Sequence, residues 1–118
     1  MPPRTWPERV ADIIDAAQHV LEITRELDYG AFAANRMVRD ATLYNFVIIG
    51  EAARFVPVDI QARCPDVDWH SLKDMRNFAA HVYHAISYGR VWRTIRGDLP
   101  AVITSLQKLL ADEAASQG

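Results

Sequence analysis

Within the eight residues R-N-F-A-A-H-V-Y, Arg76 to Tyr83, the chain places a guanidinium, an amide, an imidazole and a phenol, and a further imidazole, His84, follows at once. An imidazole takes or gives a proton near neutrality and can act as general base or acid. A guanidinium is a permanent, forked cation that matches the oxygens of a phosphate. The same residue types also make an ordinary solvated helix face, with Arg76 paired to Glu51 or Asp74 and His81 an idle surface imidazole.

Helical geometry sorts these groups. With about 100° of rotation per residue, Leu72, Met75, Phe78, Ala79, Val82 and Ile86 share one arc, which is the expected core stripe. Arg76 and Tyr83 lie together at one edge of that stripe. Ala80 comes next, then Lys73, Asn77 and His84, and His81 lies furthest from the core. Arg76 and His81 are about 140° apart on a regular helix, so one helix does not bring them together. Either the helix distorts near His81 or a second copy of the chain completes the site across a two-fold axis, with the small Ala80 permitting close approach.

Other chemistries find less support. His81 and His84 are spaced to share a metal, but no carboxylate or cysteine at suitable spacing completes a ligand set. There is no glycine-rich phosphate loop and no nucleophile elbow, so no cofactor is expected. Cys64, the one cysteine, has no evident base beside it and allows no internal disulfide. His19 and His70 read as structural or solvated. Met37, Met75, Trp69 and Trp92 read as core or groove fillers.

The elements that must position the motif are helical. Thr5 and Glu8 have capping-box spacing, and Val10, Ile13, Ala17, Val20, Leu21, Thr24 and Leu27 then recur at helical intervals, with Gly30 as the expected stop. A second helix is expected from about Phe32 to Phe55. Its later part, T-L-Y-N-F-V-I-I-G-E-A-A, is apolar almost all round, as a buried bundle helix would be. Gly50 inside it implies close approach of a neighbouring backbone, and Glu51 beside it should sit in largely dry surroundings and need a partner. Residues 57–68 read as a connection with room for one helical turn. Asp68 can cap the helix that carries the motif. Tyr88-Gly89 breaks the pattern. A last helix then puts Trp92, Ile95, Leu99, Val102, Leu106 and Leu109 on one face, and Pro100 should kink or divide it. No segment alternates as a strand. The expectation is a single all-α domain over residues 1–118, a compact up-and-down bundle of four to five helices.

Bulk properties fit this reading. The chain has 118 residues and a formal net charge of −2, so no global field draws it to nucleic acid. Locally the balance differs: residues 70–96 hold Lys73, Arg76, Arg90, Arg93 and Arg96 against the single acid Asp74. The N-terminal stretch has no apolar leader, and the strongly apolar run F-V-I-I is far too short to cross a bilayer, so a cytosolic protein without membrane association is expected.

The motif resembles the signature of HEPN-domain ribonucleases, an arginine, four residues, a histidine, one residue and a tyrosine. More closely, the chain is similar to the HepT toxins of HepT–MntA toxin–antitoxin systems. The likeness spans most of the chain through I-G-E-A-A at 49–53, D-W-H-S-L-K-D-M-R-N at 68–77 and V-W-R-T-I-R-G-D-L-P at 91–100. The resemblance implies a helical bundle that forms a homodimer with its motifs facing each other and cleaves RNA without a metal. It implies Arg76 and His81 as the catalytic pair, with Asn77 as a supporting polar group. It implies a partner, an MntA-like minimal nucleotidyltransferase antitoxin, that transfers AMP onto Tyr83. The residue chemistry agrees: metal-free cleavage needs a base for the 2′-hydroxyl and a cation for the phosphorane. The rival reading is a non-catalytic HEPN-like module whose dimer binds a partner or a nucleotide, with Arg76 as an anchor.

Overall fold

A computed structural model describes residues 4–82 and 88–117. Tyr83, His84 and Ile86 fall outside the described residues. The described residues contain helices and no strand, so the all-α expectation holds. The helices are α1 (Trp6–Thr24), α2 (Tyr29–Ala34), α3 (Arg36–Arg54), α4 (Val58–Gln61), α5 (Trp69–Val82) and α6 (Tyr88–Arg93). A π-helical turn, Thr94–Asp98, leads from α6 into α7 (Leu99–Gln117). None of these is long and apolar enough to cross a membrane.

Helix α1 starts where its sequence says. The Thr5 hydroxyl accepts from the Glu8 N–H, and the Glu8 carboxylate accepts from the Thr5 N–H at 3.2 Å. Its apolar face, Val10, Ile13, Ala17 and Val20, is fully buried. The end of α1 differs from expectation. It stops at Thr24, well before Gly30, where the Leu27 N–H donates to the Thr24 carbonyl at 3.0 Å and the Arg96 guanidinium donates to the carbonyl of Thr24 and, at 3.1 Å, to that of Leu27 in the following turn. Gly30 instead lies within α2, whose N-terminus is capped by the Asp28 carboxylate accepting from the Ala31 N–H at 2.8 Å.

The expected single helix from Phe32 to Phe55 is divided at Asn35. Its side chain accepts from the Val38 N–H at 3.1 Å, starting α3 afresh. Asparagine favours such caps because its amide competes with the helical ladder. The break lets α2 bring Phe32 into an aromatic group, with ring centroids 5.1 Å from Trp92 and 6.3 Å from Tyr88. This packing anchors α6, which begins at Tyr88 and contains Gly89 rather than being broken there.

Helix α3 is the centre of the bundle, packed against α5 on one side and α1 on another, while α7 closes over α1. At Gly50 the backbones of α3 and α5 come into close approach. A methyl group there would lie 2.6 Å from the Arg76 backbone nitrogen and 3.0 Å from the Lys73 carbonyl oxygen. The neighbouring backbone inferred from Gly50 is thus the motif helix itself. Phe46 meets Phe78 one turn away, which fixes α3 and α5 as antiparallel.

The kink expected at Pro100 takes another form. Helical hydrogen bonding passes from α6 to α7 through the π turn, in which the Leu99 N–H bonds to the Thr94 carbonyl. The widened turn lies where Pro100 cannot supply its own N–H. The face read from sequence persists through it: Ile95, Leu99, Leu106 and Leu109 are buried.

Asp68 caps α5 as expected. Its carboxylate accepts from the Ser71 N–H at 3.1 Å and the Ser71 hydroxyl at 2.7 Å. These bonds hold the carboxyl below its ordinary range. A depressed folded-state value gives stability that is present above the unfolded value and lost as pH falls through the folded one. Asp68→Ala should therefore lower the thermal midpoint at pH 7, and its difference from the parent should shrink to nothing as the acid range is entered. A pH-independent difference in melting curves would assign the loss to something other than the charged cap.

Candidate functional site

The motif helix α5 divides as its periodicity indicates. Leu72, Met75, Phe78 and Ala79 are buried, whereas Arg76, Asn77, Ala80 and His81 are exposed. The helix is regular through Val82, so it does not distort to bring His81 round to Arg76. One chain therefore presents the two groups on different sides of one exposed surface.

Arg76 is placed by two features of α3. Gly50 lets the backbones touch at Arg76, and Glu51, the next residue, receives the guanidinium. Arg76 Nε lies 2.7 Å from Glu51 Oε1, with Arg54 3.4 Å from the same oxygen. Glu51 is wetter than the sequence suggested, with its side chain 36% exposed. In that setting the pair contributes about 0–1 kcal/mol. Its effect is orientation: the guanidinium is held through Nε against Glu51.

The free face of α3 continues the surface beyond Glu51. Met37, Tyr44 and Phe55 recur at intervals of seven and eleven residues and are 84%, 68% and 52% exposed, with the partly buried Ile48 between them. Met37 is therefore not the filler its type suggested. Trp69 and Met75 are buried as expected, and Trp92 is partly so. The antiparallel register, Arg76 at Gly50 and Phe78 at Phe46, places His81 near the turn of α3 that carries Tyr44.

On the other side of His81, the surface of α5 turns into a cleft of ≈ 380 Å³ against α6 and the π turn. Asp74 and Phe78 line it from α5, and Arg90, Arg93, Thr94 and Asp98 line it from the opposite wall. The basic residues near the motif thus have distinct fates. Arg90 lies over the Phe78 ring at 4.5 Å, Arg93 opens onto the cleft, and Arg96 is drawn away to the carbonyls of Thr24 and Leu27. The cleft was invisible in sequence because its walls meet only through the packing of α6. The one available signal was the Arg90–Arg93 spacing, which sets both on one helix face.

Cys64 is buried, with Sγ 3.6 Å from the Ser105 carbonyl, and burial pushes its thiol up, away from nucleophilic use. His19 and His70 are exposed. Tyr83, the expected modification site, and His84 lie outside the described residues.

A family model described as "Ribonuclease HepT-like" matches residues 13–109. The chain belongs to the HepT-like ribonuclease family. It is 35% identical over 91 residues to "Putative RNase MJ1380" of Methanocaldococcus jannaschii, covering 77% of this chain and 84% of that one. It is 28% identical over 112 residues to "Putative RNase MJ0125" of the same organism, covering 95% and 97%. It is 27% identical over 106 residues to "Probable ribonuclease HepT" of Thermococcus cleftensis, covering 90% and 96%. No solved structure matches the chain.

Proposed function

We propose that this chain is a metal-independent endoribonuclease, the toxin of a toxin–antitoxin pair, acting in the cytoplasm as a homodimer with a composite site. The observation that carries the reading is the exposure of Arg76 and His81 off the core stripe in a member of this ribonuclease family. Arg76 would hold the phosphate through its terminal nitrogens, and Asn77 would support it by hydrogen bonding. His81 of one protomer would take the 2′-hydroxyl proton as that oxygen attacks phosphorus. The second imidazole across the two-fold axis would protonate the departing 5′-oxygen, leaving a 2′,3′-cyclic phosphate. The exposed apolar line Met37, Tyr44 and Phe55 supports the dimer, because it adjoins the motif surface and gains from being covered.

Control would run through Tyr83. A free phenol is neutral at neutral pH. AMP transferred there by an MntA-like nucleotidyltransferase would add a phosphodiester charge and a nucleotide beside the substrate path. The rival reading, a dimeric binding module without catalysis, draws on the Arg76–Glu51 pair, which already occupies part of the guanidinium.

The deciding experiment is cleavage of single-stranded RNA in EDTA, with product ends analysed and assembly followed by sedimentation. The expected result is a dimer that leaves 2′,3′-cyclic phosphate. No cleavage by clean dimeric protein would favour the binding module, and activity that EDTA removes would refute the metal-free mechanism. Tyr83→Phe should keep cleavage and escape the antitoxin in co-expression. AMP found by intact mass on that variant would show that another residue is modified.

A further inference from the structure

The cleft between α5 and α6 is not used by the mechanism above, yet it is built like an anion site. Arg90 and Arg93 are three residues apart on α6, so their side chains share one face and both open into the cleft. Among the described residues neither forms an ion pair with a carboxylate, although Asp74 and Asp98 stand on the same walls. Arg90 is held in advance by stacking on Phe78, which reduces the ordering cost of binding. One wall is the π-helical turn, a distortion that is often found at functional sites.

The position gives the cleft a ligand. Phe78, at its floor, is three residues before His81 and about 60° from it around α5, an axial rise of about 4.5 Å. A strand whose scissile phosphate is at His81 would carry its neighbouring phosphate to the mouth of this cleft.

We propose that the cleft is a second phosphate subsite for the RNA strand, in which Arg90 and Arg93 grip a phosphodiester flanking the one that is cut. It rests on the ribonuclease reading. Asp74 and Asp98, one on each wall, limit the cleft to a single phosphate and accept hydrogen bonds from ribose hydroxyls or base amino groups. The site binds the strand without touching the reacting atoms, so it contributes to substrate and transition state alike.

The test compares the parent with Arg93→Gln, Arg93→Lys, Arg90→Gln and the control Arg25→Gln, an exposed arginine of another face. Each is assayed for cleavage of a short single-stranded RNA across salt concentrations, and for binding of the same RNA by fluorescence anisotropy. Arg93→Gln should raise KM about tenfold and leave kcat within about twofold, as expected when uniform binding is removed. The slope of log affinity against log salt should fall by about 0.7 for each phosphate that is no longer neutralised. Arg93→Lys should recover part of the affinity, and Arg25→Gln should match the parent. Arg90→Gln also unstacks from Phe78, so Arg93 is the cleaner probe. Unchanged KM and salt slope in both Arg90→Gln and Arg93→Gln would overturn the subsite while leaving the ribonuclease reading intact. If the parent binds RNA without cutting it, the ribonuclease reading fails and the binding measurements alone judge the cleft. A parent that binds no RNA overturns both.

Discussion

Arg76→Ala and His81→Ala should each reduce RNA cleavage by two to four orders of magnitude without unfolding the protein. A positioned acid or base contributes roughly 10²–10⁴-fold, and a charge-stabilising donor at the reacting phosphate a comparable factor. The fold should tolerate both changes because both side chains lie on the exposed side of α5, away from Leu72, Met75 and Phe78. Losing the Arg76–Glu51 pair costs about 0–1 kcal/mol at this exposure. The two losses should not add, since in the proposed mechanism both residues serve one transition state. Mixed dimers sharpen the test: if the site is composite, one inactive protomer lowers the activity of its partner. Parent-like cleavage by the double variant would assign the activity elsewhere.

Gly50→Ala should destabilise the protein by about 1–2 kcal/mol, the reverse of its effect in an isolated helix. Alanine gains up to about 1 kcal/mol over glycine from helix propensity. Here the added methyl meets the Arg76 nitrogen at 2.6 Å and the Arg76 Cβ at 2.8 Å. Those atoms belong to a packed helix and cannot swing aside as a side-chain tip would. Overpacking of this kind typically costs about 1–3 kcal/mol or more. Urea melts should show a lower midpoint with an unchanged slope. The displacement falls on Arg76, so cleavage should also drop under conditions where the variant is fully folded. A variant as stable as the parent would show that α3 and α5 do not touch at Gly50.

The residues that gave themselves away in sequence are those whose role is local. Thr5 with Glu8 and Asp68 before its helix carry their capping partners within three positions. The core stripe of α5 follows from periodicity alone. Gly50 was legible because glycine inside an apolar helix needs a reason, and close packing is the common one.

Asn35 was missed because an asparagine reads alike as a helix-surface residue and as a cap. The same holds for Gly30, which can stop a helix or sit within one. The environment of Glu51 depended on α3 keeping one face uncovered, and that face is also what leaves Met37 exposed. Arg96 looked like part of a basic patch, but its partners are 72 and 69 residues away. For the site, residue types and their order around the helix were readable. Which cations stay beside the motif was decided by tertiary packing.

That long reach of Arg96 bears on when the protein can acquire its shape during synthesis. The Thr24 carbonyl, which accepts locally from the Leu27 N–H at 3.0 Å, gains its second donor only once residue 96 has left the ribosome, and the same helix waits for α7 to cover it. An N-terminal fragment emerging at the usual pace of about 5–20 residues per second has α1 and α3 before α7 covers α1. The motif helix, too, is translated before α7. Its own support comes from α3, which is already made, so the motif surface can form before α1 is covered.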